Sequence, residues 1–377
     1  MRNIRDVVPE VEYIPVPDLV GCVNVFTKRV NAKLNRDLIS TFDWNNQFND
    51  FNLNRIDVLH LFNGISYART PWITTFETLV PRFRAALHPQ ENSARADQKV
   101  RRGLSHLAGH ACRKIISMSD CSVGFERNLL SRYPQYKEEI EKKLVVLHPG
   151  QPVIVKNYQQ KPISKPGKVR FIFVGSAFFR KGGKEIVDVL QSLRAKHHYD
   201  FELILISSFK IENYATFENA EDVRMYKALV RENSEWITHY SYLPNNEVLE
   251  LIKSAHVGLL PTHADTYGYS LLEFQAAGCP VISTNVRALS EINNDSIGWL
   301  IKVPKNQLGE AIYSTREDRK KLSSSISTGL EEAVHEIFSD PTIIRTKGSR
   351  ALERIRIEHS PKDRAERLRQ IYKEIIQ

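Results

Sequence analysis

Two periods of apolar residues alternate along this chain. Short apolar runs occur at I-D-V-L-H-L-F (56–62), P-W-I-T-T-F-E (71–77), K-I-I-S-M-S (114–119) and K-L-V-V-L-H-P-G (143–150), separated by stretches with helical spacing. Strands that alternate with helices in this way predict a parallel sheet. The opening V-E-Y-I-P-V-P (11–17) reads as a further strand and Asp18 to Gly21 as a turn. A helix then follows, on which Val23, Phe26, Val30 and Leu34 recur near helical spacing.

Residues 151–168 break the pattern with three prolines, four lysines and little periodicity, which marks a linker. The pattern then restarts. V-R-F-I-F-V-G (169–175) reads as a strand, and the next helix places Ile186, Val189, Leu190 and Leu193 on one face. F-E-L-I-L-I-S-S (201–208) follows as a strand, then a polar excursion over 209–235 with no element assigned. Strand W-I-T-H-Y, helix E-V-L-E-L-I-K-S-A, strand V-G-L-L-P, a loop with its helix, and strand C-P-V-I-S-T complete the series. Two doubly wound α/β domains are therefore expected, as the length of 377 residues also suggests. In such sheets ligands sit beyond the carboxyl ends of strands, where connections diverge, so function belongs to the loops after strands.

Composition is that of an ordinary folded protein, with 42% hydrophobic and 26% charged residues. No apolar run has the length of a signal peptide core or a membrane span, giving the expectation of a cytoplasmic protein, with the inner face of the membrane as an alternative site. Cys22, Cys112, Cys121 and Cys279 are scattered, which fits four buried reduced thiols better than bridges or a metal site. Net charge is +9, and between Arg82 and Lys114 eight Lys or Arg face only Glu91 and Asp97. Such a patch suits an anionic substrate or membrane surface, and equally a solvated helix face. No RNA-binding aromatic signature or zinc finger accompanies it, so nucleic acid is not an expected partner.

Two loops carry chemistry. In F-V-G-S-A-F-F-R-K-G-G-K a strand ends at Gly175, and Arg180, Lys181 and two glycines lead into a helix, an arrangement suited to a diphosphate. A glycine turn with two solvated cations is the plainer explanation. In P-T-H-A-D-T-Y-G-Y-S-L-L-E-F-Q-A-A-G-C-P-V-I-S (261–283), Ser270 is positioned to cap a helix while Gly268 and Tyr269 bring amides to the same place. Ser270 and Glu273 also fit a capping box, and Asp265 fits an Asx turn.

Taken together, the two loops resemble the nucleotide-sugar site of retaining glycosyltransferases of family 4, whose fold is GT-B: two Rossmann-like domains facing a cleft. The family pattern E-x-F-G-x-x-x-x-E-A-x-A-x-G-x-P-V-I is matched by D-T-Y-G-Y-S-L-L-E-F-Q-A-A-G-C-P-V-I. The resemblance implies an acceptor-binding domain over 1–158, a donor-binding domain over 159–358, and a terminal helix over 359–377 that returns to the first domain. It implies that Glu273 holds the donor ribose and that the amides of Gly268, Tyr269 and Ser270 receive the diphosphate. Asp265 would touch the donor sugar, and Arg180 and Lys181 would hold the leaving diphosphate beside Gly175 and Ser176. Tyr242 and Leu243 would border the base. No cofactor or metal is implied, and no D-x-D motif of the metal-dependent kind occurs.

Departures accompany the match. Asp265 is one methylene shorter than the family Glu, the N-terminal Gly-rich loop is reduced to Gly21, and Phe76 stands where the family often has histidine, with Glu77 beside it. Acceptor-side candidates are Gly21, His60, Glu77, Arg82 and His110. The expected activity is sugar transfer from a nucleoside-diphosphate sugar to a glycan, lipid-linked or other hydroxyl acceptor in cell-surface polysaccharide or glycoconjugate synthesis. A partly apolar helix face in the basic 82–114 region is the candidate for peripheral contact with an anionic membrane, without stable anchoring. The alternatives are a non-catalytic partner subunit that keeps the donor domain and, with less to support it, a sugar-nucleotide epimerase.

Overall fold

The computed structural model describes residues 7–34, 41–88, 90, 93–161, 168–212 and 214–376. The chain divides into two compact units, 1–150 with 361–377, and 151–360.

The first unit contains strands β1 (Gln47–Phe48), β2 (Leu59–Phe62), β3 (Ile65–Ser66), β4 (Trp72–Phe76), β5 (Cys112–Ser117) and β6 (Leu144–Val146). Its helices are α1 (Leu19–Leu34), α2 (Arg84–Leu87), α3 (Ala94–Ala108), α4 (Asp120–Ser131) and α5 (Pro134–Glu141). Strands β2, β4, β5 and β6 form a parallel sheet in the order β2-β4-β5-β6. All of β4 is buried, as a central parallel strand covered on both faces must be. The chain's last helix, Pro361–Ile376, inserts Leu368, Ile371 and Tyr372 against Val8, Ile73 and Ile116 of this unit.

The second unit holds β7 (Val169–Val174), β8 (Phe201–Ile206), β9 (Ile237–Tyr240), β10 (Val257–Leu260), β11 (Val281–Thr284) and β12 (Trp299–Ile301). Its helices are α6 (Gly183–His197), α7 (Ala220–Glu232), α8 (Asn245–Ser254), α9 (Tyr269–Ala276), α10 (Leu289–Ile292), α11 (Arg316–Ser339) and α12 (Thr342–Glu358), and the terminal helix is α13. The six strands are parallel in the order β12-β11-β10-β7-β8-β9. Chain order runs outward from β7 to β9 and then restarts at β10 on the other side of β7. The boundary between β7 and β10 is thus a topological switch point, where loops diverge and leave a crevice. Both units are α/β structures built on parallel sheets, and among the described residues only the sheet of the second reverses its strand order.

Several expectations are corrected. Residues 12–18 form no strand, because Pro15 and Pro17 lack the N–H groups a ladder needs. Gly21 lies inside α1 rather than in a loop; the Asp18 carboxylate accepts from the amide of Val20, and the helix begins at Leu19, within the turn expected there. Helix α1 is also turned the unexpected way. Val23, Val25, Phe26 and Leu34 are exposed, whereas Asn24 and Asn31 are buried, and Asn24 donates to the side chain of Asn45.

The expected linker is packed over its first part: the amide of Ile154 donates to Ala276 O, Tyr158 is buried, and the Lys161 ammonium donates to the carbonyls of Lys253 and Ala277. Residues 162–167 lie outside the described residues. The polar stretch 209–235 contains α7, started by a reciprocal capping box between Asn219 and Asp222. On α6, Val187 rather than Val189 joins the buried face. The cysteines are free thiols, but Cys22 is exposed and Cys121 half-buried, so only Cys112 and Cys279 match the expected burial.

Candidate functional site

Because β7 and β10 are adjacent and parallel, the loops that follow them emerge side by side at one edge of the sheet. This brings 175–182 against 261–268, although about eighty residues of chain separate them. The backbones interlock: the amide of His263 and the hydroxyl of Thr262 both donate to Arg180 O, at 2.9 and 3.0 Å. Gly182 adopts φ +83°, and a Cβ there would lie 2.2 Å from Pro261 O, so only glycine allows this approach.

Within the cluster, Lys181 Nζ lies 3.4 Å from Asp265 Oδ2, and both side chains are mostly buried. Gly175 makes room for the lysine stem, since a Cβ would stand 2.4 Å from Lys181 Cδ. Ser176 is exposed, and its carbonyl accepts from the amide of Lys210. Arg180 is a clamp between loops: Nε donates to Glu212 at 2.6 Å, and its guanidinium also donates to Ala264 O. Lys210 completes this group by donating to Glu212 at 2.9 Å. Partial burial opposes charge on Glu212, but Lys210 and Arg180 outweigh it and hold the carboxyl below its usual range. Glu212 and Lys210 escaped sequence reasoning because they fall in the excursion read as structureless, at no spacing that ties them to Arg180.

Helix α9 begins differently from the expectation. Its N-cap is Gly268, in a left-handed conformation at φ +83°, and Ser270 is buried within the first turn with its hydroxyl unpaired. Ser270 therefore does not cap the helix. The Gly268 amide donates to Asp265 Oδ1 at 3.2 Å, so the Asx-type turn exists alongside the contact with Lys181. Tyr269 at the helix start is partly exposed, and Glu273 is half-buried one turn further on. The positive end of the α9 dipole thus faces the same loops as Lys181. After β9, Tyr242 is 79% exposed, while Leu243 lines a hollow of about 400 Å³ with Tyr240, Asn246 and Glu250.

In the first unit, Glu77 follows the end of β4, accepts from Arg82 at 3.1 Å, and exchanges hydrogen bonds with Asn63 at the end of β2. These three groups occupy the carboxyl edge of the parallel sheet. The other acceptor-side candidates do not join them. Gly21 is within α1. His60 is in β2, with one ring nitrogen 2.7 Å from Tyr372 Oη and the other 2.8 Å from Thr75 Oγ1, and burial pushes its pKa down to about 3, so it is a neutral packing residue. His110 is exposed in the turn before β5, at the opposite edge of the sheet.

Helix α3 buries Val100, Gly103, Leu104 and Leu107. Its apolar face is consumed by the core and is not available to a membrane; residues 89, 91 and 92 of the basic region lie outside the described residues. Among the described residues no helix is long and apolar enough to cross a membrane.

Residues 154–331 match the family model for glycosyl transferases group 1. Over 191 residues the chain is 22% identical to a glycogen synthase of Mycobacterium tuberculosis, covering 51% of this chain and 39% of that protein. The matches thus span less than half the length of the curated relatives. Among solved structures, sucrose-phosphate synthase from Thermosynechococcus elongatus aligns over 97% of this chain and 81% of its own, with TM-score 0.56 and 17% identity. Anabaena HepE in complex with UDP and glucose aligns over 94% and 83%, with TM-score 0.54 and 12% identity. These likenesses show a shared fold.

Proposed function

On the match of residues 154–331 to the glycosyl transferases group 1 family, we propose that the protein is a retaining, metal-independent glycosyltransferase. It moves a sugar from a nucleoside-diphosphate donor to a hydroxyl on a glycan or lipid-linked acceptor, in polysaccharide or glycoconjugate synthesis. The observation that carries this reading is the meeting of Lys181, Asp265 and the start of α9 at the switch point between β7 and β10. A cation beside a helix N-terminus is suited to charge that develops on a leaving diphosphate.

In this reading an incoming diphosphate competes with Asp265 for Lys181, which frees Asp265 for the donor sugar. Glu273 takes the ribose, Leu243 and Tyr242 flank the base, and Arg180 with Glu212 holds the two loops in register. The bond from the anomeric carbon to the diphosphate oxygen breaks as the acceptor oxygen attacks the same face, and the leaving oxygen receives the acceptor proton. The transition state is oxocarbenium-like. On the acceptor side the reading uses Glu77 and Arg82, without His60 or His110. In this reading membrane contact falls to α1, where Val23, Val25 and Phe26 are exposed on the same helix as Lys28, Arg29 and Lys33.

Thermal unfolding with a panel of nucleoside diphosphates and their sugar conjugates, with and without chelator, tests the proposal. A ligand at 100 times its Kd stabilises by about 2.7 kcal/mol. A selective, chelator-insensitive shift accompanied by donor hydrolysis or transfer supports it. A shift without either reaction points instead to the non-catalytic partner subunit, and no shift at all removes the donor site.

A further inference from the structure

A second cavity of about 300 Å³ is lined by His263 of the loop 261–268, by residues at the starts of α6, α7 and α11, and by the segment 215–218. None of Gly175, Lys181, Asp265, Gly268 and Glu273 lines it. Four of its lining residues carry a buried polar atom with no protein partner: Glu185 Oε2, His263 Nδ1, Thr216 Oγ1 and Glu218 Oε2. Glu185 and His263 are 3% and 4% exposed. Their other atoms are fully engaged, since Glu185 Oε1 accepts from His263 Nε2 at 3.0 Å and from Ser323 Oγ at 2.6 Å. Burial works against the charge of Glu185, yet His263 and Ser323 keep its carboxyl below the usual range. With Nε2 donating to Glu185, Nδ1 of His263 is left for a hydroxyl, a group that both donates and accepts. The cavity therefore offers two carboxylate oxygens, a ring nitrogen and a hydroxyl.

Its other walls are aromatic. Phe179 and Tyr226 are buried, whereas Phe217 is 61% exposed, with the Arg319 guanidinium covering one face at 4.6 Å. Arg316 and Lys320 stand exposed at the rim.

These features exclude most ligand classes. A purely apolar ligand leaves four buried polar atoms unpaired, which opposes its binding. A bare phosphate meets two carboxylates, and an amine must pass the cationic rim. A ring that carries several O–H donors and also an apolar C–H face satisfies all the walls, because the negative face of an aromatic ring attracts C–H groups. We infer that this cavity is an accessory site for a single sugar ring, held through its hydroxyls by Glu185, His263, Thr216 and Glu218 and stacked on Phe217.

The inference does not rest on the donor site. Ligand-observed saturation-transfer NMR and calorimetry on the full chain, with glucose, mannose, galactose and their 6-phosphates, test it. Saturable binding of at least one sugar is expected, weakened about tenfold or more in Thr216→Val, as loss of a hydrogen bond with about 1.4 kcal/mol of binding energy requires, and likewise in Phe217→Ala. Both variants are in a surface segment and are checked for unchanged thermal unfolding; Glu273→Ala, on α9, should leave the binding intact. Tighter binding of the 6-phosphates would assign the rim cations to the phosphate, and equal affinity would assign the site to the neutral ring. No saturable binding, or binding indifferent to Thr216→Val and Phe217→Ala, overturns the inference and leaves water as the partner of the four atoms.

Discussion

Lys181 and Asp265, which follow two different strands of one sheet, bring Nζ and Oδ2 to 3.4 Å of each other. The same carboxylate accepts from the Gly268 amide at the cap of α9. One side chain thus ties together the cation, the glycine turn and the helix start. Lys181→Ala is expected to lower turnover by about 10²–10³-fold, the size of effect seen when one preorganised charge-stabilising donor is removed. Steady-state kinetics with the donor identified by thermal shift checks this, and unchanged turnover would exclude a role for Lys181 on the leaving group.

Two glycines of this loop should behave differently. At Gly182 a methyl group meets the backbone carbonyl of Pro261 at 2.2 Å in a left-handed conformation. Gly182→Ala should therefore destabilise the protein by about 1–3 kcal/mol from backbone strain alone, with the clash adding to it. At Gly175 the close contact is with the flexible stem of Lys181, at 2.4 Å, while Phe173 Cζ stands at an ordinary van der Waals distance of 3.4 Å. Gly175→Ala should leave thermal unfolding nearly unchanged while reducing turnover, because the ammonium is displaced. Comparable melting temperatures for the two variants would contradict this distinction.

Glu273→Ala should abolish the thermal shift given by a nucleotide while leaving the unliganded melting temperature close to that of the parent. Glu273 is half-buried on α9, where an alanine keeps the helix. A retained shift would separate Glu273 from the ribose.

In the first unit Glu126 is fully buried, with Oε2 accepting from the Val80 amide at 2.8 Å. Burial pushes its carboxyl up to about 8. Between its unfolded value near 4.5 and about 8 the folded state holds the proton more tightly than the unfolded chain. Stability contributed by this group is therefore present below pH 4.5 and lost as pH rises to about 8. Glu126→Gln should flatten the decline in denaturant midpoint across that window, and an equally steep decline in the variant would assign the pH dependence to other groups.

Exposure of Val23, Val25 and Phe26 predicts that vesicle co-sedimentation, if anionic lipid supports it, weakens on Phe26→Ser and persists when Arg101 and Arg102 of α3 are replaced by alanine. The opposite pattern would return the contact to the basic helix.

The strands at 59–62, 72–76, 112–117 and 169–174, and the helix that follows Gly268, were legible because their residues carry local information: apolar runs, a glycine turn and a helical period. The parallel α/β class followed from their alternation, and the D-x7-E loop taken together with the Arg180–Lys181 loop pointed to the candidate site. Local signals failed where a different competitor won. Pro15 and Pro17 defeated an apolar strand pattern, and α7 was hidden because only Tyr226 and Val230 of its length are buried. Helix α1 has the right period but faces outward, since periodicity gives a stripe and not the direction it points.

Only the tertiary structure decided that Arg180 clamps Glu212, that His263 meets a buried Glu185, and that His60 is sealed against Tyr372. Each of these pairs is far apart in the chain and obeys no spacing rule. They meet because strand order places β10 beside β7, and α13 against β2 and β4, and that order is set by the packing of whole elements rather than by any local stretch of residues.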